Sequence, residues 1–202
     1  MCQTPHIRAV GKIKMTNEIK RSIAKFLPLE NEDLDLFLSK FKPLSLKKGA
    51  FFIKEGSKCD YIGFIKKGCL MCVYNKEGNE IIDEFSLENE FIADYKNFID
   101  NHCAEKDVKC IEDSEILVIK KNDLLALYSQ KHSFERVGRI IAESLFKNWH
   151  DKSISLVLDD AKTRYAKLIE NRKTLPQRVP QYLVASYLDI TPQSLSRIRK
   201  TK

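Results

Sequence analysis

Five glycines, at positions 49, 56, 63, 68 and 78, punctuate a series of short apolar runs in the first half of the chain. The runs cover residues 51–53, 61–65, 70–74, 81–85 and, further on, 116–119. Each is too short to bury a helical face, and glycine recurs where a chain must reverse. Many short antiparallel strands joined by tight turns satisfy this pattern, as in a barrel or a jelly-roll-like sandwich. Asn75-Lys76-Glu77-Gly78 reads as a hairpin turn, with the glycine where φ is positive.

Helical spacing flanks this region. Apolar residues recur in steps of three and four over residues 19–26 and 34–41; Pro28 separates the two stretches and Pro43 ends the second. Strand signals stop near Lys120. Asn122 or Asp123 is expected to cap a short helix through Leu124, Leu125 and Tyr128. A longer helix follows from about residue 133 to about 156. Phe134, Val137, Ile141, Leu145 and Trp149 form its stripe, which Ile140, Phe146 and Ile154 widen. Such a helix must bury more than one side. Packing on its own β domain and pairing with a twin helix both answer that need, and the expectation is that it does both. Ala161, Tyr165, Leu168 and Ile169 mark a further helix ending before Pro176. Residues 175–180 read as a connector, and two short helices follow at about 181–188 and 192–200. The expected class is α+β: an N-terminal jelly-roll-like β-roll, a long dimerisation helix and a C-terminal helix-turn-helix.

Charge is concentrated at one end. The chain of 202 residues carries a net charge of +7. From residue 159 onward, ten basic residues face four acidic ones, so the remaining body is close to neutral. A basic end on a neutral body suits a polyanion, because each neutralised phosphate releases counterions; a solvated basic tail has the same composition. Six cysteines, no secretory signal and no apolar run of membrane-spanning length point to the cytoplasm, with reduced thiols and no membrane partner. Residues 1–18 read as a tail of unknown role, with Met15 a candidate start.

The most specific pattern lies near the end. Val184, Leu188, Ile190, Leu195 and Ile198 give two crossing helices one shared core, with the small Ala185 where they approach closest. Asp189 stands where the turn wants a residue that tolerates left-handed backbone. Thr191 is an N-cap and Pro192 fits the first helical position. Gln193, Ser194, Arg197 and Lys200 remain outside. Arg197 suits a bidentate pair to guanine, and Gln193 suits adenine. Thr191, Ser194, Ser196, Arg199 and Lys200 complete the candidate DNA-contacting set, the two serines, Arg199 and Lys200 as phosphate contacts.

With both halves in place, the chain resembles the Crp–Fnr family of bacterial regulators. Leu46-Lys47-Lys48-Gly49, Ile53-Lys54-Glu55-Gly56, Tyr61-Ile62-Gly63-Phe64-Ile65-Lys66-Lys67-Gly68 and Asn75-Lys76-Glu77-Gly78 look like that family's β-roll. The helix after Ser133 looks like its dimer helix, and 190–198 like its recognition helix, with Arg197 on the base-reading arginine. The resemblance implies a tail (1–18), a β-roll sensor domain (19–130), a dimerisation helix (131–157) and a helix-turn-helix DNA-binding domain (158–202). It also implies double-stranded DNA, a second copy of the chain and RNA polymerase as partners. Cyclic-nucleotide-binding members carry a Gly-Glu pair and an Arg-Ser or Arg-Thr pair, yet residues 87–109 contain no Gly-Glu and no arginine. Cyclic AMP is therefore not expected in the usual way. Lys96, Lys106 or Lys109 would have to replace the arginine. Glu90, Asp94, Tyr95 and Lys96 are the candidate ligand residues of a β-roll whose ligand is unknown. The short connector implies a winged-helix-like unit with a reduced wing.

Some relatives hold a four-cysteine iron–sulfur cluster. Cys69 and Cys72 lie in one expected strand, where residues three apart face opposite sides, so shared ligation is not expected. No cofactor and no metal are expected. His6, His102, His132 and His150 form no strand-spaced pair for a cupin-type metal centre, and no nucleophile elbow or phosphate loop is present, so the chain does not read as an enzyme. The alternative reading is a small-molecule-sensing module whose helical end binds a protein.

Overall fold

The computed structural model describes residue 24 and residues 29–200. The expected tail and most of the helix at 19–26 lie outside the described residues. Helix α1 (Asn31–Ser39) buries Leu34, Phe37 and Leu38. Eight strands follow: β1 (Lys42–Leu46), β2 (Phe51–Ile53), β3 (Tyr61–Lys67), β4 (Leu70–Lys76), β5 (Asn79–Ser86), β6 (Phe91–Ile92), β7 (Asp107–Cys110) and β8 (Ser114–Lys120). They form two antiparallel four-stranded sheets, in the orders β1-β8-β3-β6 and β2-β7-β4-β5. The β4–β5 hairpin turns at Glu77 (φ 55°) and Gly78 (φ 84°) between the paired Lys76 and Asn79. Two consecutive positive φ values match the right-handed twist of the flanking strands, as expected of that tetrapeptide.

Four elements of the β region go beyond the sequence reading. Strands β1, β6 and β7, and the helix α2 (Tyr95–Asp100), fall in stretches without a clear period. Pro43 lies in β1, an edge strand, where a missing N–H is tolerated. Gly63 is not a turn residue. It sits in mid-β3, where a Cβ would stand 2.8 Å from Ile116 Cγ2 and 3.0 Å from Phe52 Cζ. This glycine lets the two sheets close on each other.

The helices continue as α3 (Lys121–Tyr128), α4 (His132–Leu158), α5 (Ala161–Asn171), α6 (Leu175–Arg178), α7 (Gln181–Tyr187) and α8 (Pro192–Lys200). One expectation is corrected. Helix α3 starts after Lys120 with no side-chain cap, so neither Asn122 nor Asp123 caps it. The connector at 175–180 contains the single helical turn α6, because Pro176 fits a first helical turn. No strand follows β8 among the described residues.

Two apolar cores result. The first lies between the sheets and takes in α1, α3 and the start of α4. The second lies on the outer face of the β4–β5 sheet. There Met71, Val73, Ile82 and Phe85 pack with Tyr165, Leu168, Leu175, Val179, Leu183, Val184 and Leu195 of the C-terminal helices. Strand β4 alternates between the cores, Leu70 and Cys72 inward, Met71 and Val73 outward. Burial of both faces explains its unbroken apolar run.

Candidate nucleic-acid interface

Helices α7 and α8 are joined by the turn 188–191. Asp189 is left-handed there (φ 53°), and its N–H donates to Ser186 O at 3.0 Å. Thr191 Oγ1 accepts from Ser194 N at 3.1 Å, capping α8 as the sequence suggests. Ala185 is fully buried, with Val184, Leu188 and Leu195 around it and Ile190 and Ile198 packed against that core. The polar face of α8 points outward: Gln193, Ser196, Arg197, Arg199 and Lys200 are exposed, and Ser194 is half-buried. Three of these are basic and lie in the helix's last turn. The exposed residues lie on one short helix, and the core behind them fixes its orientation.

Two arginines before this pair are held by the β-roll. Arg178 makes a two-pronged pair with Glu88 at 2.8 and 2.7 Å and also pairs with Glu112. Arg172 meets Glu90 at 3.0 Å. Lys152 of α4 donates to the main-chain carbonyls of Ile82 (2.9 Å) and Asp83, and its ammonium lies over the Tyr187 ring.

The long helix changes character along its length. Phe134, Val137, Gly138 and Ile141 are buried in the first core. Beyond Leu145, Phe146 (61%), Trp149 (55%) and Val157 (79%) are exposed on one side of α4. Three large apolar or aromatic groups so spaced, with His150 tilted against Phe146 at 5.6 Å, leave a face with no cover in the single chain.

The candidate ligand residues of the β-roll do not converge. Glu90 is engaged by Arg172. Asp94 is buried and accepts from Asn97 Nδ2 and Glu105 N, each at 3.0 Å. Tyr95 stacks on Phe98, and Lys96 pairs with Glu105 at the surface. Lys106 is locked to Asp83 at 2.7 Å in a mostly buried pair, and Lys109 lies 3.9 Å from Glu80. All three lysines offered by 87–109 therefore face carboxylates. The orphaned buried atoms, Asp60 Oδ1, Glu84 Oε1 and Asn97 Oδ1, are all acceptors. A cyclic phosphate needs donors, so the residues present do not fit one.

Cys69 lies in the second core and Cys72 in the first, on opposite faces as their spacing implies. Cys59, Cys69, Cys72 and Cys110 are free and buried. Burial pushes the thiols of Cys59 and Cys69 up to about 12, so neither is a reactive thiolate. Cys103 is disulfide-bonded, a departure from the expectation of reduced thiols throughout. No metal-holding cluster of His, Cys, Asp and Glu forms among the described residues, and no helix there is long and apolar enough to cross a membrane.

Comparison with known proteins bears on this geometry. Residues 43–131 match the model of the cyclic nucleotide-binding domain. FixK2 from Bradyrhizobium japonicum superposes with a TM-score of 0.69 at 15% identity, over 80% of this chain and 83% of that one. The c-di-GMP-responsive global regulator CLP of Xanthomonas campestris gives 0.66 at 15% identity, over 85% and 91%. The chain has the fold of the Crp–Fnr regulators. A regulator of the Crp–Fnr family from Eubacterium rectale also gives 0.66, at 14% identity over 88% and 87%. No curated protein matches the sequence itself. The Crp–Fnr resemblance read from the glycine-turned strands thus holds at the level of fold, including the β-roll.

Proposed function

We propose that the chain is a cytoplasmic, sequence-specific DNA-binding transcription regulator that acts as a homodimer and is not an enzyme. The observation that carries this reading is the outward polar face of α8, rigidly backed by the α7–α8 core at the basic end of the chain. In this reading α7 and α8 are a helix-turn-helix. Arg197 and Gln193 read base edges, while Thr191, Ser194, Ser196, Arg199 and Lys200 set register on phosphates. Two chains pair through the exposed stripe of α4, which sets the two reading helices about 34 Å apart over a two-fold site. The β-roll is the sensor domain, and its signal is something other than cyclic AMP in the usual pose. RNA polymerase is the further partner.

The test is selection of sites from random duplex DNA by the full-length protein, beside Arg197→Ala, at two salt concentrations. The expected result is a palindrome whose affinity falls steeply with salt, and which Arg197→Ala weakens at one symmetric base position by about 1–3 kcal/mol. Absence of any enriched sequence, with salt-insensitive capture of a protein instead, would replace this reading with that of a protein-binding sensor.

A further inference from the structure

The anion-binding chemistry missing from the β-roll interior is present at the joint between the two halves. A cleft of about 700 Å³ opens there between α4, α5, α7 and the rim of the roll. That volume suits a small organic ligand. We propose that this cleft binds a small organic anion, a carboxylate or phosphate ester with an apolar body.

Charge in the cleft is the first argument. Lys152 lines it, and its ammonium is held by two main-chain carbonyls and by the Tyr187 ring, with the ring centroid 4.4 Å away. Arg164, also in the wall, donates Nε to Leu188 O at 3.0 Å and Nη1 to Asp159 O at 2.7 Å. Neither cation forms a carboxylate salt bridge among the described residues. An ammonium has three N–H donors and two are used, so Lys152 keeps one. Burial pulls the Lys152 ammonium below its ordinary value, and an adjacent anion would offset that penalty. Asp83 and Glu84 offset part of that penalty, but Asp83 is bonded to Lys106, Glu90 is taken by Arg172, and Asp151 and Glu170 stand at the exposed rim. Ile154, Leu156, Leu168 and Leu188 give the apolar wall.

Placement is the second argument. At 3.6 residues per turn, Asn148 and Ser155 lie on the opposite side of α4 from Phe146, Trp149, Ser153 and Val157, and Lys152 lies on the flank between the two sides. The cleft wall also includes His150, which lies against Phe146, and Ile154 and Leu156, so an occupant sits at the border of the exposed apolar stripe. It would touch the long helix, α5, α7 through Tyr187, and the β-roll through Glu90. A ligand there biases how these pieces sit together, to the extent that it binds one arrangement better than another.

The test is calorimetric titration of the full-length protein, without DNA, using phenyl phosphate and benzoate as separate probes. Two variants accompany it. Lys152→Met removes the cation, and Asn171→Trp fills the cleft from an exposed position at the end of α5. The expected result is one site per chain for at least one probe, weakened about tenfold or more by Asn171→Trp, and likewise by Lys152→Met if that variant folds. Whichever probe binds identifies the anionic head. No saturable binding of either probe, or binding that Asn171→Trp leaves unchanged, overturns the proposal. Because no DNA is present, failure here leaves the DNA-binding reading standing, and failure of site selection leaves this one standing.

Discussion

Glu84 is paired with Cys72 across the β4–β5 ladder, so it faces the interior of the roll, and its Oε1 has no partner. Burial pushes its carboxyl up to about 7, against the opposing charges of Arg172 and Lys106. An acid whose folded-state pKa exceeds its ordinary 4.5 contributes fully below that value and loses ground as pH rises to about 7. Glu84→Gln should therefore match the parent in acid and exceed it in stability above neutrality, by on the order of 1–3 kcal/mol. Chemical denaturation of both proteins on either side of that range checks the sign; equal stability at alkaline pH would show the carboxylate to be solvated. Nothing in the sequence marks this residue. Its neighbours Asp83 and Glu80 read just as acidic, and only the β-bulge beside Val73 turns Glu84 inward. Asp189 and Thr191 are the opposite case. A left-handed turn residue and a helix cap act through their own backbone, so both were legible without tertiary structure.

Elements defined by local periodicity were legible in the same way. The long helix was expected from about 133 to 156 and runs from His132 to Leu158. Strands β6 and β7 were not, since Phe91–Ile92 is too short to show a period and Asp107–Cys110 puts charge on its outer face. Nor does the sequence show where α4 stops touching its own domain. The step from buried Ile141 to exposed Phe146 depends on where α3 ends beside it. That step locates the expected dimer contact. Trp149→Glu places a charge in the middle of the exposed stripe. Since the side chain is 55% exposed in the single chain, folding within the chain should be spared. Sedimentation is expected to move from dimer to monomer at a concentration where the parent is dimeric, with little change in the far-ultraviolet spectrum. A monomeric parent would instead assign the stripe to another partner.

At the scale of the molecule, the β-roll and the C-terminal helices share a core, so neither is complete without the other. The unbroken run Leu70–Val73 announces burial on both faces, but the sequence does not say what covers the second; the answer is α5 to α8. Arg178 fastens this joint. It holds Glu88 and Glu112, which approach each other from separate loops, and Glu88 also accepts the Gly68 N–H at 2.8 Å. Burial raises the Glu88 carboxyl, but the Arg178 bonds and the Gly68 N–H outweigh it and leave it below the ordinary 4.5. A depressed acid contributes above its ordinary value and loses that contribution as pH falls through its folded-state value. Arg178→Ala leaves two carboxylates facing each other without their cation. All three side chains are partly exposed, so the cost is moderated by solvent, to about 1–2 kcal/mol at neutral pH. The deficit should shrink in acid, where the Glu88 carboxylate is protonated in both states. Because the apolar core spans the joint, the loss should appear as a shift of one cooperative transition, with tryptophan fluorescence and far-ultraviolet dichroism coinciding in urea. Two separated transitions in the parent would mean that the halves fold independently and that Arg178 only tethers them. A single transition that Arg178→Ala moves at neutral pH but not in acid would establish the joint as one unit fastened by this ion cluster.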